Sequence, residues 1–184
     1  MASDAVGKNT PAIPDVFRRI NELQQRGLIG EYSVGGAFAF IYYAEPFETR
    51  DLDVFAHLPQ LGLLVTLEPI YDYLKQLGYP FEDECVRIEG VPVQFLPAIG
   101  DALVEEAVRD AIAIEVAGVP TRIFTMEHAV AIALKTYRAK DRMKILHLWE
   151  TGIRRPDASR LESILRRNAL WEKWQKFARE NELG

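Results

Sequence analysis

The pattern of the chain changes once, at Thr125, and that change limits the folds open to it. Before that point short apolar runs are cut by turn residues. "CVRIEGVPVQFLPA" and "AIAIEVAGVPTRIFT" each read as two strands, turning near Glu89-Gly90 and near Gly118, where glycine takes up a backbone shape that suits tight hairpins. After Thr125 the apolar spacing becomes helical. "MEHAVAIALKTYRAKDRMKILHLWETG" reads as helix throughout, with a break near Lys140. "PDASRLESILRRNAL" reads as a further helix capped by Asp157 or Ser159, and "WEKWQKFARENEL" as a last one. Strands first and helices after predict an α+β fold, a short mixed sheet flanked by helices with a C-terminal helical region.

Helices also punctuate the first part. Val16, Phe17, Ile20 and Leu23 form one apolar stripe between Pro14 and Gly27, which predicts an opening helix. "EYSV" predicts a short strand ending at Gly35-Gly36. "AFAFIYYA" predicts a buried helix stopped by Pro46, since proline removes a helical hydrogen bond. "TRDLDVFAHL" predicts a strand in a covered sheet, and a helix is expected from Glu68 to Leu77, closed by Gly78. Asp101 is placed to cap a helix through Val108. The expected organisation is a flexible N-terminus over 1–12, an α/β core over 13–125 and helices packed on it over 126–184.

Composition narrows the function classes. Of 184 residues, 48% are hydrophobic and 27% charged, the balance of a chain that folds around a core rather than staying disordered. No apolar run has the length of a bilayer span, so a cytoplasmic location without membrane contact is expected. The single cysteine, Cys85, has no partner for an internal disulfide, and the three histidines show no zinc-ligand spacing; any metal is expected to be a hard cation held by oxygen. Residues 1–119 carry 8 Lys and Arg against 19 Asp and Glu, whereas residues 120–184 carry 14 against 8. An acidic part followed by a basic part suits two subregions that face one another, or a basic surface for an anion; solvated helix faces account for most of these charges.

Within "VGGAFAFIYYAEPFETRDLDVF" two features invite chemistry. Asp51 and Asp53 are two apart on a strand and so project to one side, with Leu52 and Val54 opposite. Carboxylates that close repel unless a positive charge lies between them, and a magnesium ion bound by carboxylate and phosphate oxygens answers that need. The structural alternative is a solvated strand end, or pairing with Arg50 and another base. Gly35-Gly36, between a strand and a helix, lets backbone approach a ligand closely, and a helix N-terminus favours an anion; a tight turn is the alternative.

A strand, Gly-Gly, a helix and then "TRDLDVF" resembles the nucleotidyltransferase superfamily of the DNA polymerase beta type. The stretch carrying Lys135, Arg138, Lys140 and Asp141 is similar to its small bacterial AbiEii-like branch, found in toxin–antitoxin and abortive-infection loci. The resemblance covers about residues 30–150. It implies magnesium-dependent transfer of a nucleotide from an NTP to an acceptor (a protein, an RNA end or a small molecule) with loss of pyrophosphate. It implies Asp51 and Asp53 as metal-binding catalytic residues, and Gly35, Gly36, Arg50, Lys135 and Arg138 as nucleotide contacts. A tRNA end or a protein is a candidate partner, and a homodimer is open. Independently, Lys135, Arg138 and Arg142 fall at helical spacing on one face, with Val130, Leu134 and Tyr137 on another.

Two positions depart from the family pattern. Ala37 stands where a serine or threonine often follows the glycines. Gln94 stands where many members have a third carboxylate, and an amide accepts no proton from a hydroxyl. Asp83, Glu84 and Glu89 are near in sequence. The alternative to an enzyme is therefore a catalytically degenerate member acting as a nucleotide- or partner-binding regulator. Arg154, Arg155, Arg166 and Arg167 raise direct nucleic-acid binding, which the acidic net charge of −5 disfavours. Trp171, Trp174 and Phe177 at helical spacing are expected to pack back on the core.

Overall fold

The computed structural model describes residues 13–44, 51–61, 64–151 and 154–183. Pro46, Arg50 and the N-terminal segment 1–12 lie outside them. The elements run α1 (Ile13–Gln25), β1 (Tyr32–Val34), α2 (Gly36–Tyr43), β2 (Leu52–Ala56), β3 (Gln60–Leu61), β4 (Leu64–Val65), α3 (Glu68–Gln76), β5 (Phe81–Glu82), β6 (Cys85–Ile88), β7 (Val91–Pro97), α4 (Ala102–Arg109), β8 (Ile112–Val116), β9 (Val119–Ile123), α5 (Met126–Thr136), α6 (Ala139–Thr151), α7 (Ala158–Arg167) and α8 (Trp171–Glu180). Seven strands form one mixed sheet in the order β5-β6-β7-β2-β1-β9-β8. The hairpins β6–β7 and β8–β9 are antiparallel, whereas β2 pairs β7 and β1 pairs β9 in parallel. The α+β architecture is thus present.

Local chemistry accounts for much of this. Glu89 and Gly90 both have positive φ, as do Ala117 and Gly118, which is the two-residue hairpin geometry whose twist matches the flanking strands. Asp101 Oδ1 accepts from the backbone N–H of Leu103 and Val104 and caps α4. Thr125 caps α5, and Asp157 rather than Ser159 caps α7.

The sheet is covered on both faces. On one face α1 and α3 pack Val16, Phe17, Ile20, Leu23, Ile70 and Leu74 against Leu52, Val54, Val93 and Phe95. Each large apolar side chain buried there contributes roughly 1.5–3 kcal/mol. On the other face α2, α4 and α5 pack with the remaining C-terminal helices. Trp174 and Phe177 are buried in that core, with the Trp174 ring 5.2 Å from Trp149, so the last helix folds inward as its aromatic spacing predicts. Because β2 alternates, burying Leu52, Val54 and Ala56 against α1 and α3 turns Asp53 and Phe55 toward α2 and α5.

One helical expectation needs correction. Residues 126–151 are two helices with the break at Tyr137–Arg138, close to the expected Lys140, but the chain turns there. Tyr137 has φ +55° and ends α5 in the left-handed conformation, its N–H still donating to Ala133. A continuous basic face through Lys135, Arg138 and Arg142 therefore does not form. Arg142 lies over the Tyr137 ring, 5.0 Å from its centre, and Lys173 lies 4.3 Å from the same ring. These cation–π contacts each contribute about 0.5–1 kcal/mol.

Candidate active-site cleft

A cleft of about 810 Å³ opens between the sheet face at β2 and β7, the start of α2 and the corner between α5 and α6. Asp51, Asp53, Gly36, Lys135 and Arg138 all line it. The chain folds so because Asp53 in β2 and Asp51 just before it reach the cleft from the sheet side while the left-handed turn at Tyr137 swings α6 across them. Gly35 is elsewhere. It is buried beneath the rings of Phe55 and Phe124, and its N–H donates to the Asp53 carbonyl at 3.0 Å. Arg50 is outside the described residues.

Gly36 shows why a glycine stands there. Its φ is +55°, and a Cβ would overlap the Asp53 carboxylate. The glycine lets the carboxylate sit against the start of α2. Gly36→Ala is expected to destabilise the fold by about 1–3 kcal/mol, measured as a fall in the denaturation midpoint. An unchanged midpoint would show that the backbone there relaxes freely.

Asp53 is half-buried and Asp51 exposed. Burial, and then the negative charge of Asp51, push the Asp53 carboxyl above the ordinary carboxylate range; Lys144, Lys140 and Arg138 oppose the shift without cancelling it. Asp53 is thus held protonated to higher pH than a free aspartate, by burial first and by Asp51 second. The same field acts on Cys85, whose thiol is pushed up by burial and then by Asp51, Asp53, Glu84 and Asp83. A thiol held protonated is a poor nucleophile, which agrees with a structural role for this residue.

The opposite wall is basic. Lys135 Nζ pairs with Asp101 Oδ2 at 2.6 Å. Arg138 binds Asp141 through Nε at 2.7 Å and Nη2 at 3.3 Å. Asp141 is buried, accepts from the Thr136 hydroxyl at 2.8 Å and lies 3.4 Å from Lys144 Nζ. Burial acts against its ionisation, but Arg138, Thr136 and Lys144 together outweigh that and hold the carboxyl below the ordinary range. Lys140 and Lys144 also line the cleft. Asp141 thus anchors the corner that aims three cations at the site.

Gln94 lies beside Asp53 in the parallel register of β2 and β7, the position the sequence pattern assigned to it. Its Nε2 donates to Glu84 Oε2 at 3.1 Å, and Glu84 also lines the cleft. Glu84 and Lys144 are the functional candidates that sequence reasoning did not place. Lys144 was legible from its spacing to Asp141 on a helix. Glu84 was not, because the turn before β6 decides where it points.

A second acidic group, Glu106, Asp110 and His128, brings its ligand atoms within 4.8 Å of one another. None of the three lines the cleft, and the Arg167 guanidinium already binds Glu106. Arg166 pairs with Glu162 at 2.7 Å and Arg155 covers Trp149. Three of the four arginines considered for nucleic acid thus have partners within the chain.

No protein-family model matches the sequence, and no curated protein does. Solved structures do match. An antigenic nucleotidyltransferase-like protein from Paracoccidioides brasiliensis aligns over 89% of this chain and 92% of its own, with 11% identity and a TM-score of 0.52. ANT(2'')-Ia, in a crystal structure with adenylyl-2''-tobramycin, aligns over 88% of this chain and 98% of its own, with 15% identity and a TM-score of 0.52. The fold is nucleotidyltransferase-like.

Proposed function

We propose that the chain is a magnesium-dependent nucleotidyltransferase that moves a nucleotide from an NTP to an acceptor hydroxyl. The observation that carries this reading is the arrangement of charge across one cleft: Asp51 and Asp53 on the sheet, Arg138, Lys140 and Lys144 facing them. Two carboxylates lining one cleft, one of them with a raised pKa, fit a hard divalent cation with oxygen ligands. Magnesium held by Asp51 and Asp53 would neutralise phosphate charge and align the attacking and leaving oxygens.

The chain's own residues supply the rest. Lys140, Lys144 and Arg138 hold the triphosphate from the α6 side, with Lys135 at the end of α5. Gly36 offers an edge that carries no side chain, whereas Ala37 brings no hydroxyl. Arg50, next to Asp51 in sequence, completes the nucleotide set, whereas Gly35 lies beneath Phe55 and Phe124 and supports Asp53 through the backbone instead. The acceptor oxygen forms a bond to the α-phosphorus, the bond from that phosphorus to the bridging oxygen of pyrophosphate breaks, and the acceptor proton needs a base. Gln94 cannot be that base, but it holds Glu84 at the cleft by their hydrogen bond. Glu84 therefore takes the proton, and the cation wall stabilises the departing pyrophosphate.

In this reading residues 13–125 form the nucleotidyltransferase core and 126–184 close it. The stretch from Lys135 to Asp141 supports the AbiEii-like branch and a role in a toxin–antitoxin type system. Among the described residues no helix is long and apolar enough to cross a membrane, which accords with a cytoplasmic protein. One observation favours a second reading, a nucleotide-binding regulator without activity: an amide, not a carboxylate, neighbours Asp53 in register.

Calorimetric titration with each NTP tests the first part. Binding is expected only with magnesium, and is expected to be lost in Asp51→Ala/Asp53→Ala. No binding of any NTP by folded protein sinks the enzyme reading. Binding without turnover on any acceptor, unchanged in Glu84→Gln, favours the regulator.

A further inference from the structure

The cleft has a neighbour. A groove of about 310 Å³ lies between α3, β5 and β7 and shares Glu84, Gln94 and Leu96 with the cleft. Its other walls include Leu67, Tyr71, Phe81 and Asp83. The Tyr71 and Phe81 rings meet edge to face, 4.6 Å apart, and Phe81 is 41% exposed. An exposed aromatic at the mouth of a groove offers a flat face to a ligand. Asp83 sits at the turn into β6 with φ +54°.

Charge is divided between the two spaces. The cleft carries Lys135, Arg138, Lys140 and Lys144, whereas among the described residues no lysine or arginine lines the groove. Its two charged side chains are Asp83 and Glu84, and neither has a cation within ion-pair distance among the described residues; the nearby Arg87 is bound to Glu82. Nucleic acid is held chiefly by cations on its phosphates, which this groove lacks. An ammonium group is drawn to the carboxylates and to the faces of the aromatic rings. The spaces meet at Glu84, where an acceptor hydroxyl has to arrive.

We propose that the groove is the acceptor subsite, and that the acceptor is a small hydroxyl-bearing molecule with a flat apolar face and an ammonium group, not a nucleic acid. The inference rests on the nucleotidyl-transfer reading and adds the substrate class. The apolar face lies on Tyr71 and Phe81, the ammonium is met by Asp83, and the hydroxyl reaches Glu84 beside Gln94. The NTP enters from the basic side, so donor and acceptor approach from opposite ends.

Saturation-transfer NMR on the full chain tests this with matched probes: tyramine, 4-hydroxyphenylacetate with the same phenol and the opposite charge, and the trinucleotide CCA. Titrations are run without nucleotide, and again with magnesium and a non-hydrolysable NTP. Tyramine is expected to bind about fivefold more tightly than 4-hydroxyphenylacetate, and CCA to give no transfer. Asp83→Asn/Glu84→Gln is expected to bring the two phenols within about twofold, and Phe81→Ala to weaken both by about tenfold. Phe81 is exposed enough that its truncation leaves the core intact. Equal or tighter binding of the anion or of CCA overturns the proposal, as does tyramine binding that ignores Phe81→Ala, or no transfer from any probe. Because these titrations do not require nucleotide, their failure is separable from that of the magnesium–NTP titration, which removes the donor reading instead.

Discussion

Asp53→Asn is expected to unfold at a higher temperature than the native chain at neutral pH while binding NTP in magnesium at least tenfold more weakly, the order seen when a metal site loses a supporting group. The two effects have one cause. Burial and the charge of Asp51 raise the Asp53 pKa in the folded chain. The folded state therefore holds this proton to higher pH than the unfolded state does. The stability that the shift contributes is complete below the unfolded pKa and is lost as pH rises through the folded one. At neutral pH the ionised carboxyl is a charge that the fold tolerates at a cost, and asparagine removes it. A higher melting temperature than native is therefore expected at pH 7, and the difference should shrink toward pH 4. Thermal unfolding by circular dichroism at both pH values, with and without magnesium, measures it. Magnesium should raise the melting temperature of the native chain and not that of the variant. A variant less stable than the native chain at pH 7 would contradict the electrostatic account, because Asp53 would then be held by contacts its charge improves.

Asp141→Ala is expected to have the largest effect on stability, a loss of about 3–5 kcal/mol. Its side chain is 3% exposed and holds Arg138, Lys144 and the Thr136 hydroxyl together. Removing the carboxylate leaves two cations facing each other at the α5–α6 corner, one of them, Lys144, with a side chain only 13% exposed. The folded pKa of Asp141 is depressed, so its contribution is present above the unfolded pKa and is lost as pH falls through the folded one. The gap between native and variant melting temperatures should accordingly narrow in acid. Because Asp141→Ala removes charge and acceptor together, Asp141→Asn is the companion: it keeps an acceptor for Thr136 and loses the charge, and it should fall between the two. A melting temperature of Asp141→Ala within about 1 °C of native would show that the corner is held by the packing of Ile145 and Leu148 instead.

These two aspartates mark the boundary of what a linear reading reaches. The hairpin turns at Glu89-Gly90 and Ala117-Gly118, the cap at Asp101, the stripe of α1 and the shared face of Asp51 and Asp53 were all legible, because each is set by residues a few positions apart. The adjacency of Gln94 to Asp53 was also legible, through the family pattern. The short strands were not. β5 buries neither Phe81 nor Glu82, so no alternation marks it; it exists because β6 offers an edge.

The sequence by itself determined that a mixed sheet precedes helices, that two carboxylates stand at and just before the start of β2 and that cations follow after Thr125. Those are local facts of period, turn chemistry and charge. Only the tertiary structure decided which cations meet the carboxylates. A single left-handed residue at Tyr137 turns the chain, removes Arg142 from the basic face and brings Lys140 and Lys144 over Asp53. Only the tertiary structure decided that Gly36 makes room for Asp53 and that Glu84 stands beside Gln94, since both depend on side chains far apart in the chain. Backbone propensity acts over a few residues, whereas the field at Asp53 is summed over every charge the fold brings near.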